Sequence, residues 1–223
     1  VAKVRPYISD LEEGLSGSAS PKDLETMFQL IYLTFTEPRA DATIFGVFTA
    51  QMKAMLANMK ASPEYAFMEA LQTTLSQNHY RERPMTPEIL DEMNLEKSFA
   101  VYKDRFADAG DFTFIFIGNI DLEKIKPLVE RYLGSLAALH RKETWKDVGI
   151  EPPKGVVQKT VKKGIEPKSQ TAMVFTGPFQ YDRPHRTAIR AMSLVLDTRL
   201  RNLLREELSG TYGVAVNASY EKI

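Results

Sequence analysis

Asp111-Phe112-Thr113-Phe114-Ile115-Phe116-Ile117 is the densest run of β-branched and aromatic residues in the chain, and it closes on Gly118-Asn119. A run of this kind bounded by turn residues reads as a strand. Its neighbours decide the fold class. On the N-terminal side, Thr86-Pro87-Glu88 and Asn94-Leu95-Glu96 each set a capping side chain ahead of a helix. On the C-terminal side, Asp121 caps a helix predicted to reach about Leu136. Helix, strand and helix in quick succession imply a sheet with helices packed on it, an α+β fold.

Further toward the N-terminus, Val1 to Tyr7 is short and β-like, a Gly/Ser-rich stretch follows from Gly14 to Ser20, and Gly14-Leu15-Ser16-Gly17 within it reads as a turn whose glycines relax the backbone. Ser20-Pro21-Lys22-Asp23 has the form of a helix start, with a capping serine, a proline in the first turn and an early carboxylate. Leu24, Met27, Phe28, Ile31 and Phe35 then recur at helical spacing until Glu37-Pro38. A second helix is predicted from Asp41, with Ile44, Val47, Phe48, Met52, Met55, Leu56 and Met59 as its buried stripe. A third runs from Ser62-Pro63-Glu64 to about Gln77, and Asn78 to Pro84 is a loop.

Toward the C-terminus the pattern lapses from Ala137 to Lys154, where charges and Pro152-Pro153 suggest a linker. The expected organisation is a first unit over residues 1–138, a linker over 139–154 and a second unit over 155–223. In the second unit, Val156 to Val161 and Thr171 to Phe175 are predicted strands. A long helix from about Pro184 to Leu208 carries Ile189, Met192, Val195, Leu196, Leu200, Leu203 and Leu204, and a closing strand spans Tyr212 to Tyr220.

Composition narrows the function classes. Lys plus Arg and Asp plus Glu both number 29, so the net charge is zero, which argues against a general polyanion binder and gives no reason to expect nucleic acid. No apolar run approaches the length of a membrane span. Cysteine is absent, which removes disulfides, thiolate nucleophiles and cysteine zinc sites, and is compatible with an oxidising compartment such as a periplasm. The chain opens on Val1 without a methionine, which points to an excised piece or a mature product.

Candidate chemistry is sparse. The three histidines, His79, His140 and His185, lack the close spacing of a helical metal pair, and solvent-facing or locally bonded roles suit them better. Glu12-Glu13 reads as a solvated face, and Lys159 to Lys163 as an exposed strand edge whose lysines discourage pairing. The sharpest arrangement is Leu203-Leu204-Arg205-Glu206-Glu207-Leu208-Ser209-Gly210-Thr211-Tyr212-Gly213-Val214, a helix end, a turn and a strand start. Arg205 can donate a fork of hydrogen bonds to a peptide carbonyl or carboxylate, and the Tyr212 hydroxyl can donate one more. An exposed arginine beside a half-buried strand tyrosine is the plainer alternative, and residue chemistry leaves both open.

That run resembles the Leu-Arg…Gly-x-x-Tyr-x-Val element of the pitrilysin, insulysin and mitochondrial processing peptidase family. Ser20 to Leu33, Asn78 to Glu88 and Phe112 to Leu133 resemble other stretches of its bacterial zinc protease branch, in the same order, so the likeness covers nearly the whole chain. The resemblance implies a metallopeptidase-like α/β roll of repeated α+β units, each an antiparallel-rich sheet with helices packed on it. It implies that this chain is one partial repeat, the third, followed by the start of a fourth. In that family the N-terminal half carries an inverted His-x-x-Glu-His zinc motif, which is absent here. The C-terminal half lacks zinc and supplies an arginine and a tyrosine that contact substrate, matching Arg205 and Tyr212. The resemblance therefore implies a non-catalytic piece of a bacterial zinc endopeptidase that is inactive alone. It carries no catalytic residue, no metal ligand and no cofactor, and zinc belongs to the parent enzyme's N-terminal half. The implied partners are that catalytic half, a peptide or protein substrate, and a second copy through exposed sheet edges. The implied location is the bacterial periplasm or cell envelope, and the cytoplasm stays open. A structural or assembly module of the same fold without peptidase activity is the alternative.

Overall fold

The computed structural model describes residues 1–220, so the last three positions of the expected second unit lie outside the described residues. The chain divides into two compact units, Val1–Gly164 and Ile165–Ile223. The first holds an antiparallel hairpin, β1 (Lys3–Ile8) and β2 (Glu13–Ser18), followed by helices α1 (Leu24–Thr36), α2 (Ala42–Lys60), α3 (Pro63–Leu75), α4 (Pro87–Glu92), α5 (Leu95–Arg105) and α6 (Leu122–Leu128). The second holds α7 (Arg183–Arg201). The result is helix-rich, with one two-stranded sheet among the described residues.

Helix starts follow from local chemistry. Asp41, Ser62, Thr86, Asn94, Asp121 and Asp182 each precede a helix and accept backbone N–H groups of its first turn on a side-chain oxygen. Such a cap satisfies donors that have no intrahelical partner and is worth about 1 kcal/mol. Ser20 departs from this pattern. Its hydroxyl donates to Asp23 Oδ2 at 2.7 Å instead of accepting a backbone N–H. Pro21–Asp23 consequently forms a short 3-10 turn ahead of α1.

The expected turn at Gly14 to Gly17 instead lies within β2, whose register pairs Tyr7 with Gly14 and Lys3 with Ser18. Gly14 is needed there because Tyr7 lies across it: a Cβ would stand 2.6 Å from the Tyr7 hydroxyl. The hairpin covers α1, which buries Met27, Phe28 and Ile31. Beneath α1 the aromatic core continues, with Phe28 stacked on Phe116 at 5.2 Å and Phe35 edge-on to Phe112 at 4.9 Å and Phe106 at 5.3 Å. Tyr102 stacks on Phe106 at 4.5 Å and donates its hydroxyl to Thr34 O at 2.9 Å, tying α5 to α1.

The run that opened the sequence reading lies in this core, but not as a paired strand. Asp111 closes a 3-10 turn (Ala109–Asp111), and residues 112–117 join no ladder. Their side chains still alternate: Phe112, Phe114 and Phe116 are half-buried, while Ile115 and Ile117 stand 76% and 95% exposed. The period of two encodes a strand's faces. Pairing also needs a neighbour on the hydrogen-bonding edge, and none is present among the described residues. The same correction applies to Val156 to Val161, Thr171 to Phe175 and Tyr212 to Tyr220, none of which enters a sheet.

The α2 stripe is likewise overturned. Only Leu56 is buried, whereas Ile44, Val47, Phe48, Met55 and Met59 are exposed. The helix packs on α3 and α4 through a narrower face than its apolar pattern marks out. On α7, Met192, Val195 and Leu196 are exposed as well, and so is Leu203 just beyond it.

Residues 139–154 lie along the first unit. Asp108, fully buried, accepts N–H groups from Gly110 (2.9 Å), Leu139 (2.7 Å) and Arg141 (2.7 Å). The Arg141 N–H foremost, then those of Leu139 and Gly110, hold the Asp108 carboxyl below its ordinary value against the opposing cost of burial. The Arg141 guanidinium bonds Asp104 and Glu143, and Arg105 meets Glu143 at 2.7 Å. Farther on, His79 Nε2 lies 3.1 Å from Val148 O and Gln77 donates to Glu151 O at 3.0 Å.

Candidate substrate-contact site

The two residues singled out from the sequence lie at the end of α7. That helix is entered at Asp182, whose Oδ1 accepts the His185 N–H at 2.8 Å, and it runs without interruption to Arg201. Over Asn202–Glu207 it widens into a π turn, marked by the Leu208 N–H reaching back to Leu203 O at 3.0 Å. Ser209 then takes the left-handed conformation at φ 49°, and the Gly210 N–H closes on Leu204 O at 2.8 Å. A left-handed residue after the last turn lets the chain leave a helix while pairing its final carbonyls. Thr211 steadies the exit, donating its hydroxyl to Gly213 O at 3.0 Å.

Arg205 is carried by the π turn and is more than half exposed, with Nε 3.6 Å from Glu206 Oε1, a loose surface ion pair. Tyr212 follows the exit and is fully exposed. The half-buried strand tyrosine of the plainer reading is therefore not what the fold provides. Among the described residues no hydrogen bond or ring contact joins Arg205 to Tyr212, so the fold leaves both sets of donors facing solvent. Such a pair can donate hydrogen bonds to a carbonyl or carboxylate brought to it. The π turn went unseen in the sequence, since it inserts one residue into a turn without disturbing the apolar pattern around it; single π turns are frequent at functional sites.

The histidines are not drawn into one site. His79 bonds Val148 O, His140 follows the Asp108 anchor at φ 53°, and His185 Nδ1 sits 2.7 Å from Asp182 Oδ1. Among the described residues no group of three or more His, Cys, Asp or Glu is placed to hold a metal ion. None of their helices is long and apolar enough to cross a membrane.

Residues 92–221 match the family model described as the Peptidase M16 inactive domain, and this span contains the π turn, Arg205 and Tyr212. The chain belongs to the peptidase M16 family. Within M16, it is similar to the probable zinc protease PqqL of Haemophilus influenzae, with 24% identity over 214 residues, 95% of this chain and 22% of that protein. It is 25% identical over 223 residues to the probable zinc protease PqqL of Escherichia coli, covering 96% of this chain and 23% of the relative. The crystal structure of the periplasmic protease PqqL from Escherichia coli superposes with a TM-score of 0.77 at 22% identity, over 99% of this chain and 24% of that one. The M16 chain thus shares the PqqL fold and spans roughly a quarter of the length of these relatives.

Proposed function

We propose that this chain is a non-catalytic part of a longer PqqL-like zinc endopeptidase, in which it completes the substrate chamber and holds the peptide backbone through Arg205 and Tyr212. The observation that carries the reading is the match of residues 92–221 to an inactive M16 domain, within which Arg205 and Tyr212 project outward from a π-widened helix end. In this reading residues 1–138 and 155–223 are the third and fourth α+β repeats of a metallopeptidase-like roll, with 139–154 between them. The unpaired backbone of residues 113–117 receives a neighbouring strand, from the rest of the parent or from a second copy. Zinc and the water it activates belong to the parent's N-terminal half. PqqL of Escherichia coli is a periplasmic protease, which supports the same location for the parent.

Here the Arg205 guanidinium and the Tyr212 hydroxyl bind and orient the substrate carbonyl without touching the metal. Removing one such donor costs roughly ten- to a hundredfold in turnover. The test is Tyr212→Phe and Arg205→Gln in the full parent enzyme, with peptide cleavage and zinc content measured side by side. Reduced cleavage at unchanged zinc content is the expected result. Unchanged cleavage in both variants removes the proposed role.

A further inference from the structure

The start of α7 runs against its own dipole. A helix's first turn favours carboxylates and disfavours cations, yet this one contains no acidic residue and brings in Arg183 and Arg186. Arg190 follows one turn later, so the three share one face at i, i+3 and i+7. Among the described residues none of the three is paired with a carboxylate; the nearby Asp182 is engaged by His185 and Gln180 instead.

These arginines are nonetheless held in place. Arg186 Cζ lies 4.9 Å from the centre of the Tyr181 ring, and Arg190 Cζ lies 5.5 Å from that of Tyr220. The tyrosines are braced in turn, Tyr181 edge-on to Tyr220 at 5.9 Å and Tyr220 stacked on Phe179 at 5.3 Å. Stacking occupies a guanidinium's face and leaves its N–H edge for a partner. Arg186 directs one N–H toward the Tyr181 hydroxyl at 3.4 Å, while its Nε and the Tyr220 hydroxyl are shut off from water with no hydrogen-bond partner. Two like charges at i, i+4, fixed on rings beside orphaned donors, are unfavourable for folding alone. An anion at the open guanidinium edges would offset the repulsion between the two charges.

We propose that this face of α7 binds a peptide carboxylate, with Arg186 and Arg190 as its forks and Arg183 as an outer charge. Carboxylate geometry matches the planar guanidinium edge, and the zero net charge of the chain gives no broad field for a polyanion. The site lies at the opposite end of α7 from Arg205 and does not depend on the role proposed for that residue.

The test titrates the whole 223-residue chain against fluorescein-labelled, C-terminally amidated tetraglutamate at low salt, reading anisotropy. Amidated tetraglutamine should bind at least about tenfold more weakly. Tetraglutamine with a free terminal carboxylate separates a chain end from side-chain carboxylates; binding above the amidated form assigns the chain end to the site. Arg186→Gln with Arg190→Gln should weaken tetraglutamate binding by about tenfold or more, whereas Lys159→Gln with Lys162→Gln, which removes equal charge elsewhere, should change it less than about twofold. Arg186→Lys with Arg190→Lys keeps the charge without the fork and should fall between, which settles the matter if the glutamine pair fails to fold. Equal binding of tetraglutamate and amidated tetraglutamine, an equal loss from the lysine pair, or tighter binding of an oligothymidine of matched charge would overturn the proposal. None of these readings changes with Tyr212→Phe, so the two hypotheses fail separately.

Discussion

Phe28→Ala probes whether the aromatic layer under α1 organises the first unit. Phe28 has no exposed surface, stacks on Phe116 at 5.2 Å with a 22° interplanar angle, and tilts against Tyr132 at 6.4 Å. Emptying a buried phenylalanine site costs about 3–5 kcal/mol, the spread reflecting how far neighbours collapse. Phe116 is half-buried, so Phe116→Ala should cost about half of a buried phenylalanine truncation, roughly 1.5–2.5 kcal/mol. Because the rings stack, the double variant should fall short of the sum by about 0.5–1.5 kcal/mol. Ile117, next in sequence and 95% exposed, is the internal control; Ile117→Ala should stay within about 0.5 kcal/mol of the parent. Two compact units make a single global transition a poor measure, so the assay is urea-dependent hydrogen exchange at α1 and α5 amides. If Ile117→Ala destabilises these helices as much as Phe116→Ala, the one-sided reading of residues 112–117 is wrong. A Phe28→Ala cost below about 1 kcal/mol refutes the core assignment.

Asp108→Asn should release residues 139–141 from the first unit, since an amide serves three backbone N–H groups less well than a carboxylate. Faster exchange at the Leu139 and Arg141 amides with α1 unaffected is the expected signature. Because the folded Asp108 pKa is depressed, its contribution is present above the unfolded aspartate value and is lost as pH falls through the folded one, and the Asn variant should lack this acid dependence. Tyr102 has the opposite sign: desolvation pushes its hydroxyl up to about 12 from 10.0, so its contribution is complete below pH 10 and declines toward pH 12. Tyr102→Phe keeps the Phe106 stack and should flatten stability across that window in an alkaline titration. Ser209→Gly, at φ 49°, should raise stability of the second unit by roughly 0.5–1 kcal/mol in a thermal melt, because glycine takes the left-handed conformation without a Cβ penalty.

Helix positions were legible because their determinants are local. Asp41, Ser62, Thr86, Asn94, Asp121 and Asp182 act on amides two or three residues away, and nothing distant can override them cheaply. Ser20 failed because its hydroxyl donates to the Asp23 carboxylate, a side-chain partner three residues on that competes with the backbone N–H groups a cap would serve. Strand pairing was legible only in part. Alternation in residues 112–117 specifies which side chains meet α1, and that much is observed; it carries no information on whether another backbone lies on the edge. The α2 stripe teaches the same distinction. A pattern such as Ile44, Val47, Phe48, Met55 and Met59 states which face is apolar, but it does not supply the surface that covers it.

The candidate site was legible as a place before it was legible as a geometry. Arg205 and Tyr212 flank a helix exit in any reading of the run from Leu203 to Val214, and the exit is where the fold puts it. What the sequence conceals is the direction in which Arg205 points. Continued as an α-helix, Arg205 would lie over Arg201, one turn back. The π turn over Asn202–Glu207 underwinds the helix across this position, so Arg205 does not continue the Arg201 row. Arg201 meanwhile pairs with Asp197 on the regular part of the helix. The widening therefore separates an arginine engaged in holding the helix from one released toward solvent. Local propensity does not distinguish the two, because both are arginines near a helix end where cations are favoured; the backbone register does.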